Sequence, residues 1–531
     1  MFVAAENGAL PGGKVGGIGD VIHYLAIALG ERGWDVTVVT PGYGVFQTLP
    51  GAQAVGDVSF PFAGDRHIAQ LSSIPGAHKN VQHIAIEHEL FAPHGPGQIY
   101  YDDGSDAPFA TDAHKFAAFS SAAASFVLEA DKQPDVVHLH DWHTACYLML
   151  RAYDARFAAL KNIPAVYTIH NLALQGTRPL RNHLSSLESW FPNLNFSHYQ
   201  VSDPRYADCV NPMATAIRLA DRVNTVSPTY AQEILKPNDP SVGFHGGEGL
   251  EEDLQTVEDE GRLIGVLNGC NYSDSSARKA AKPKVLARRP AWTGFQKLAN
   301  RAIDAWMVKD LYVASSQLMA RSRLASIPKR RPATLLTSIG RLTAQKVALF
   351  MATTSNGKTA LENILDRLGN SGVFVLLGSG DRMLEQRMAQ LSQRYDNFLF
   401  LCGYSEELSD FLFKSGDLFL MPSSFEPCGI SQLFAMRAGQ PCVVHAVGGL
   451  KDTVVDGHTG FVFSGKSVSE QADNFVSSVD QALTMKTDHP EEWRALRLKA
   501  AAQRFGWAVS AELYEREFYE PELSETEHDE H

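Results

Sequence analysis

Short apolar segments alternate with segments of helical period along most of the chain. This alternation is typical of β/α units that build a parallel sheet. In the first half it predicts strands over Phe2–Glu6, Asp35–Pro41, Asp135–His140, Ala165–His170 and Arg222–Val226. In the second half it predicts strands over Thr334–Ile339, Val373–Leu377, Phe398–Cys402, Leu418–Met421 and Cys442–His445. We therefore expect an α/β fold with two Rossmann-like lobes.

The periodicity is weakest between Gly269 and Ser326, a stretch rich in Ala, Lys, Arg and Pro. We place the boundary there, because a chain of 531 residues exceeds one ordinary core. Helical spacing resumes after the last strand of the second lobe. The predicted parts are a first lobe over 1–270, a second lobe over 271–505, a C-terminal helix over 506–520 that packs back on the first lobe, and an acidic tail over 521–531.

Composition and charge narrow the class of protein. No apolar run approaches the roughly 20 residues that a membrane span needs, and the start of the chain does not have the pattern of a signal peptide. The formal charge of −13 argues against a nonspecific nucleic-acid binder. The six cysteines are scattered without a C-x-x-C pair, which disfavours a disulfide framework and a zinc site. We expect a soluble cytoplasmic protein with no membrane or nucleic-acid partner.

A glycine-rich turn, Lys14 to Asp20, lies between the first predicted strand and a helical pattern. Glycines allow the backbone to approach a ligand closely, and the N-H groups that begin a helix suit a phosphate. Lys14 adds a positive charge. Taken alone, this motif is equally consistent with a simple tight turn.

Two motifs in the second half supply further chemistry. Arg341 and Lys346 follow a predicted strand and are suited to a diphosphate leaving group, although a solvated helix start has the same pattern. Glu426 follows the strand Leu418–Met421 in the stretch S-F-E-P-C-G-I-S. A carboxylate at such a turn can accept hydrogen bonds from sugar hydroxyls, and N-H groups from Gly429 onward would face an anion.

Seven blocks together resemble the bacterial glycogen synthase and plant starch synthase family, and they occur in that family's order over nearly the whole chain. Several blocks in one order are far more specific than any single motif. They are K-V-G-G-x-G-D, H-D-W-H (140–143), T-I-H-N-L (168–172), N-T-V-S-P-T-Y (224–230), G-R-L-T-x-Q-K, F-E-P-C-G and G-G-L-K-D-T-V (448–454). The resemblance implies the GT-B architecture, in which two Rossmann-like lobes face a central cleft.

The resemblance also implies residue roles. The second lobe would bind the nucleotide-sugar donor, and the first lobe would bind the glucan acceptor. The residues expected at the reacting groups are Asp141, His170, Arg341, Lys346 and Glu426. The residues expected to bind the donor are Lys14, Gly16, Gly17, Tyr404, Cys428, Gly429 and Ser431, where Tyr404 would stack on the base and Ser431 replaces the family's usual Thr.

The implied reaction is glucose transfer from ADP-glucose to the non-reducing end of an α-1,4-glucan such as glycogen, with retention of configuration. UDP-glucose remains open as the donor. We expect no cofactor and no metal, although His138, His140 and His143 cluster like metal ligands. GT-B transferases generally use no metal.

Departures from the family pattern leave two alternative hypotheses for the function. Asn271, Val347, Ser424 and Lys115 replace the usual Asp, Gly, Arg and Arg, and residues 276–326 scarcely match. The rivals are a GT-B transferase with another donor and a catalytically weakened glucan-binding regulatory protein. A glucan phosphorylase would need a pyridoxal phosphate lysine motif, which the sequence does not show. Retention of the charged site residues disfavours the weakened protein.

Overall fold

The computed structural model describes residues 1–272, 289–309 and 314–520. These residues form two compact units. The first comprises Met1–Asn238, Gly246–Asn271 and the segment from Gly506 onward, and the second comprises Asp239–His245 and Tyr272–Phe505. The predicted acidic tail, 521–531, and much of the unmatched 276–326 segment lie outside the described residues.

A nine-stranded sheet organises the first unit, in the order β11-β10-β7-β6-β1-β2-β5-β4-β3. Its strands are parallel except for the antiparallel pairs β3 with β4 and β4 with β5. The five strands predicted in this half are all present, as β1, β2, β6, β7 and β10. The first unit's strands, which include a small separate pair β8 with β9, are β1 (Phe2–Val3), β2 (Val36–Pro41), β3 (Gln53–Phe62), β4 (Asp65–Pro75), β5 (Val81–Glu87), β6 (Val137–His140), β7 (Ala165–Ile169), β8 (Arg178–Pro179), β9 (Cys209–Val210), β10 (Arg222–Thr225) and β11 (Leu263–Gly265).

Helices of the first unit bury their apolar faces against this sheet. In the first helix, Val21, Leu25 and Leu29 recur at helical spacing and are fully or almost fully buried. The helices are α1 (Gly17–Glu31), α2 (Ala110–Glu129), α3 (Cys146–Tyr153), α4 (Leu187–Trp190), α5 (His198–Val201), α6 (Pro212–Leu219), α7 (Pro228–Glu233) and α8 (Glu251–Asp259).

The second unit contains a six-stranded parallel sheet in the order β14-β13-β12-β15-β16-β17. Its strands are β12 (Thr334–Ile339), β13 (Gly372–Leu377), β14 (Phe398–Leu401), β15 (Leu418–Met421), β16 (Cys442–His445) and β17 (Gly460–Phe463). Its helices are α9 (Trp292–Lys309), α10 (Ala314–Ser326), α11 (Ala344–Met351), α12 (Ala360–Leu368), α13 (Arg382–Arg394), α14 (Glu406–Ser415), α15 (Ser431–Arg437), α16 (Gly448–Thr453), α17 (Val468–Asp488) and α18 (Pro490–Ala502). Two mainly parallel sheets covered by helices confirm the predicted α/β class.

The chain then returns to the first unit in α19 (Trp507–Tyr514), which continues as a π-helical turn over Glu515–Tyr519. Ser510 donates a hydrogen bond to the Leu267 carbonyl at 2.7 Å, and the Trp34 Nε1 donates to Glu515 at 2.8 Å. Tyr514 and Phe518 belong to the same buried apolar cluster as α1. In the described residues, we find no helix with the length and apolar character needed to cross a bilayer.

One buried carboxylate ties together the amino-terminal edge of the second sheet. Asp417, whose side chain is 2% exposed, precedes β15 and accepts a hydrogen bond from the Leu335 N-H at 2.9 Å. Its side chain is 2.6 Å from Arg289, 2.9 Å from Arg331 and 4.0 Å from Lys486. Burial alone would raise its pKa, but these cations, with Arg289 and Arg331 contributing most, hold the pKa of Asp417 below its ordinary value.

We predict that Asp417→Asn destabilises the second unit by roughly 3 kcal/mol, because it leaves partly buried cations without their carboxylate. The lowered pKa means that this stabilisation is complete near neutral pH and is lost as the pH falls through the pKa of folded Asp417. Urea denaturation followed by circular dichroism measures the effect. The control is Asp396→Asn, which removes a carboxylate that is 95% exposed and pairs with Arg323, and it should change stability by less than about 1 kcal/mol. Equal effects of the two changes would contradict the prediction.

Candidate functional site

In both units several predicted site residues follow strands at the point where the strand order reverses. In the first unit β1 lies between β2 and β6, and the glycine-rich turn and Asp141 follow β1 and β6. In the second unit β12 lies between β13 and β15, and Arg341 and Glu426 follow β12 and β15. Ligands of open parallel sheets bind at the carboxyl edge at this reversal. The topology therefore brings each unit's predicted residues to the edge where a ligand is expected.

The glycine-rich turn is held by a carboxylate that the motifs do not predict, Glu6. Glu6 is 2% exposed, and its Oε2 accepts hydrogen bonds from the N-H groups of Val15 and Gly16, both at 2.8 Å. Its Oε1 accepts from the Tyr100 hydroxyl at 2.9 Å. The Gly16 N-H, which the sequence predicts to face a phosphate, is thus occupied by Glu6, whereas Gly17 is the first residue of α1.

Lys14 stands on the exposed side of the same turn. Its ammonium pairs with Asp20 in the first turn of α1, at 2.6 and 2.7 Å. The Lys14 side chain remains 44% exposed. An exposed pair of this kind contributes little to stability, so a phosphate can compete for the lysine at small cost.

Asp141 is buried, and its backbone has an unusual conformation. The residue is 4% exposed, with φ of 55° and ψ of −179°, a region that residues other than glycine rarely occupy. One carboxylate oxygen accepts a hydrogen bond from the His170 N-H at 2.7 Å. Burial dominates over this bond and a similar one from Asn171, and it raises the pKa of Asp141 to about 7.

His170 follows β7 and lies beside Asp141. Its Nε2 is 3.1 Å from the Nδ1 of His140, and burial lowers the pKa of His170 to about 3, so the imidazole is neutral. His138 and His140 stack with their ring centroids 4.2 Å apart. Within the described part of the chain, no three His, Cys, Asp or Glu side chains are grouped so that they could hold a metal ion.

Glu426 and Lys346 form the central pair of the second unit. Glu426 is 5% exposed, and its Oε2 is in contact with the Lys346 ammonium and accepts a hydrogen bond from Ser423 at 2.9 Å. The Glu426 carbonyl accepts from the Gly449 N-H at 3.1 Å. Gly448 has a φ of 39°, and a Cβ there would lie 1.9 Å from that carbonyl, so only glycine fits.

The remaining donor residues differ in exposure. Arg341 is exposed after β12, and its guanidinium makes no ion pair with the residues that the structure describes. Cys428 is 4% exposed, Gly429 has a φ of 76°, and Ser431 is the first residue of α15. An exposed arginine of this kind can turn toward an anion without breaking an ion pair.

Tyr404 is 68% exposed and lines a shallow pocket of about 250 Å³. Its carbonyl accepts a hydrogen bond from the Trp306 Nε1 at 3.0 Å. A Cβ on Gly403 would lie 2.5 Å from the Trp306 ring, so glycine permits this close packing. The other residues around the pocket are Leu298, Arg301, Ala302, Ala305, Ser405 and Glu407. The pocket has an aromatic wall suited to a flat ring.

Three residues of the site, Glu6, Ser423 and Trp306, are not predicted from the sequence. Ser423 lies next to a selected motif, and its hydroxyl next to a buried carboxylate could have been inferred from S-S-F-E. Glu6 closes a predicted strand, where a charged residue followed by a glycine-rich turn was the available signal. Trp306 lies outside every matched block, and the sequence contains no signal for its contact with Tyr404.

Comparison with known families supports the resemblance. The family described as "Starch synthase catalytic domain" matches residues 1–256, and "Glycosyl transferases group 1" matches residues 331–495. The chain is 32% identical to a glycogen synthase of Streptococcus agalactiae, over 97% of this chain and 98% of the relative. It is 30% identical to a glycogen synthase of Desulfitobacterium hafniense, over 98% of each chain.

Solved structures show the same fold. The catalytic domain of starch synthase IV from Arabidopsis thaliana, bound to ADP and acarbose, superposes with a TM-score of 0.75 at 29% identity, covering 98% of this chain and 99% of that one. A sucrose-phosphate synthase from Thermosynechococcus elongatus has a TM-score of 0.55 at 16% identity over 99% of both chains, a likeness in fold alone. The GT-B fold class that the sequence predicts is confirmed.

We predict that Asp141→Asn stabilises the protein most above pH 7 and clearly less at pH 5. Because the pKa of folded Asp141 lies above its ordinary value, ionising this carboxyl costs stability as the pH rises from about 4 to 7, and the amide removes that cost. Asn, like Asp, tolerates the positive φ of this residue, and it carries no charge to bury. The melting temperature at pH 8 should rise by about 5 °C. The exposed Asp131→Asn serves as control, and a gain that is the same at pH 5 and pH 8 would contradict the prediction.

Proposed function

Because the chain belongs to the glycogen and starch synthase family, we propose that it transfers glucose from ADP-glucose to the non-reducing end of an α-1,4-glucan, with retention of configuration. The observation that carries the proposal is the contact between buried Glu426, which follows β15, and partly buried Lys346 of α11, in the same unit as exposed Arg341. A buried carboxylate suits sugar hydroxyls, and two cations suit a diphosphate.

The donor half of the proposal rests on the second unit. Lys346 and Arg341 would bind the two phosphates and stabilise the charge that grows on them as the glycosidic bond breaks. Glu426 would accept hydrogen bonds from glucose hydroxyls beside Cys428 and Gly429, while Ser431 would donate to a phosphate oxygen. Tyr404 would stack on the base at the wall formed with Trp306. From the first unit, Lys14 and the Gly17 N-H would add contacts to the diphosphate.

The acceptor half rests on Asp141 and His170. During transfer the bond from glucose C1 to the diphosphate oxygen breaks and the bond from C1 to the acceptor 4-oxygen forms. The proton of the 4-hydroxyl passes to the departing phosphate oxygen on the same face of the sugar, which accounts for retention. Asp141 and the His170 carbonyl would shelter the positive charge that develops on the sugar. The pKa of Asp141 of about 7 implies that this shelter strengthens as the pH rises through neutrality.

The choice of ADP-glucose over UDP-glucose is supported by the starch synthase IV structure, which was solved with ADP and acarbose bound. That structure matches this chain along almost its full length. The names of the relatives support the glucan acceptor in the same way.

The proposal is tested by transfer of radiolabelled glucose to glycogen from ADP-glucose and, separately, from UDP-glucose. We expect transfer from ADP-glucose, and we expect Glu426→Gln to lower kcat by about 10²- to 10³-fold because the carboxylate no longer aligns the sugar or balances Lys346. Glu492→Gln, an exposed carboxylate of α18 in the same unit, is the matched control. Transfer from UDP-glucose alone would overturn the donor, and no transfer from either donor with glycogen still bound would favour a glucan-binding role.

Tyr404 gives a second test, directed at the base. We predict that Tyr404→Ala raises KM for the donor by about tenfold or more and leaves kcat nearly unchanged, because stacking on a base is worth roughly 1–3 kcal/mol. Tyr404→Phe keeps the ring and should resemble the parent protein. Steady-state kinetics with varied donor and saturating glycogen provide the measurement. Equal KM values for the alanine and phenylalanine variants would remove Tyr404 from the base site.

A further inference from the structure

A chain of hydrogen bonds runs from the C-terminal helix to the strands beneath Asp141 and His170. The Tyr519 hydroxyl is 2.7 Å from His138 Nδ1, and His138 Nε2 is 2.6 Å from the Thr168 hydroxyl. The Asn224 amide then donates to Thr168 at 3.0 Å and to the Tyr514 hydroxyl at 2.7 Å. His138, Thr168, Asn224 and Tyr514 are fully buried. These five side chains, which we call the His138 network, include none of the residues to which a role in substrate binding is assigned above.

The His138 network fixes the orientation of the His138 ring. Burial lowers the pKa of His138 well below its ordinary value, so the ring is neutral and carries one donor nitrogen and one acceptor nitrogen. Both nitrogens have a hydroxyl partner, Tyr519 on one side and Thr168 on the other. A flip of the ring would break both bonds in a buried place, where unmade hydrogen bonds are costly. Loss of the Tyr519 hydroxyl would release one side of the ring.

His138 in turn supports the rings that lead to the predicted site. The His140 ring stacks on it at an interplanar angle of 26°, and His140 Nδ1 contacts His170 Nε2. The strands themselves are joined at the same place, since the Asp141 N-H donates to the Thr168 carbonyl at 2.9 Å. The orientation of the His170 ring therefore depends on contacts that extend back to Tyr519.

The arrangement also selects a tautomer for His170. His140 Nε2 is buried and has no hydrogen-bond partner among the residues that the structure describes. A buried N-H without an acceptor is rarer in proteins than a buried acceptor without a donor, so the proton of His140 belongs on Nδ1. That proton is donated to His170 Nε2, and the proton of His170 is then on Nδ1. His170 can thus donate a hydrogen bond from Nδ1.

We propose that Tyr519 and His140 are positioning residues that hold the His170 ring and place its proton on Nδ1, where it can donate to a substrate hydroxyl. The catalytic part of this inference rests on the proposed function. The tautomer is a property of the folded chain and does not depend on it.

The kinetic test compares two changes that each remove one buried hydroxyl from the full chain. Tyr519→Phe removes the partner of His138 and keeps the aromatic ring. Tyr147→Phe is the matched control, because the Tyr147 hydroxyl is buried with no partner among the described residues. We expect Tyr519→Phe to lower kcat by about three- to tenfold at unchanged donor KM, which corresponds to one hydrogen bond, and Tyr147→Phe to match the parent. Equal kcat values for the two variants would overturn the role of Tyr519.

The spectroscopic test reads the tautomer directly in the full chain labelled with ¹⁵N-histidine. The His170 signal is assigned by its loss in His170→Ala. We expect an Nδ1-protonated His170 in the parent protein and a changed nitrogen pattern in His140→Phe. An Nε2-protonated His170 in the parent would overturn the proposal, even if Tyr519→Phe proves too unstable to assay. If the parent transfers no glucose, the proposed function fails, and the spectrum still decides the tautomer.

Discussion

The main constraint on this molecule is the free-energy cost of a buried negative charge, because each unit has a buried carboxylate at the carboxyl edge of its parallel sheet. The two units meet it in opposite ways. In the second unit a lysine contacts Glu426 and a serine donates to it, so its charge is balanced where it is buried. In the first unit the Asp141 carboxylate accepts hydrogen bonds from backbone N-H groups, which do not offset its burial, and its pKa rises to about 7. The charge of Glu426 is thus balanced by its neighbours, while Asp141 is kept near its point of ionisation.

The rest of each unit positions these two groups. Short buried strands fix the position of the residue that follows each strand. The reversal of strand order leaves a crevice at the carboxyl ends of the strands, next to these residues. Glu6 holds the glycine-rich turn, and Gly448 allows the backbone carbonyl of Glu426 to approach closely. The backbone strain at Asp141 is maintained by bonds from the next strand, since its carboxylate accepts from His170.

The sequence predicts the parallel strands well because each is a short apolar run between turn residues. Thr334–Ile339, Leu418–Met421 and Cys442–His445 begin and end where predicted. The antiparallel hairpin of β3 and β4 was not predicted, although Val58, Phe60 and Phe62 are buried at alternate positions. That alternation is weak over the exposed start of β3, where five successive residues are exposed, so the period of two is visible only in half of the strand.

The residues of the candidate site likewise fall into those that the sequence predicts and those that it does not. Motifs are local, so the glycine-rich turn, Arg341, Lys346 and Glu426 could be selected from a few neighbouring letters. Partners from distant parts of the chain could not, because nothing near Tyr519 or Trp306 in the sequence indicates what they contact. The roles of the selected residues remain predictions, whereas the family and the fold class are confirmed.

The return of α19 to the first unit also affects how the protein is made. Residues 1–271 leave the ribosome long before the helix that supplies Tyr514 and Tyr519, and the whole second unit is synthesised in between. Until that helix emerges, Asn224 and His138 lack their tyrosine partners, and the apolar face of α1 lacks its cover. The nascent first unit therefore stays incomplete until the end of translation. A chain truncated before Gly506 would fail to complete its first unit, although the cut lies far from residues 1–271 in sequence.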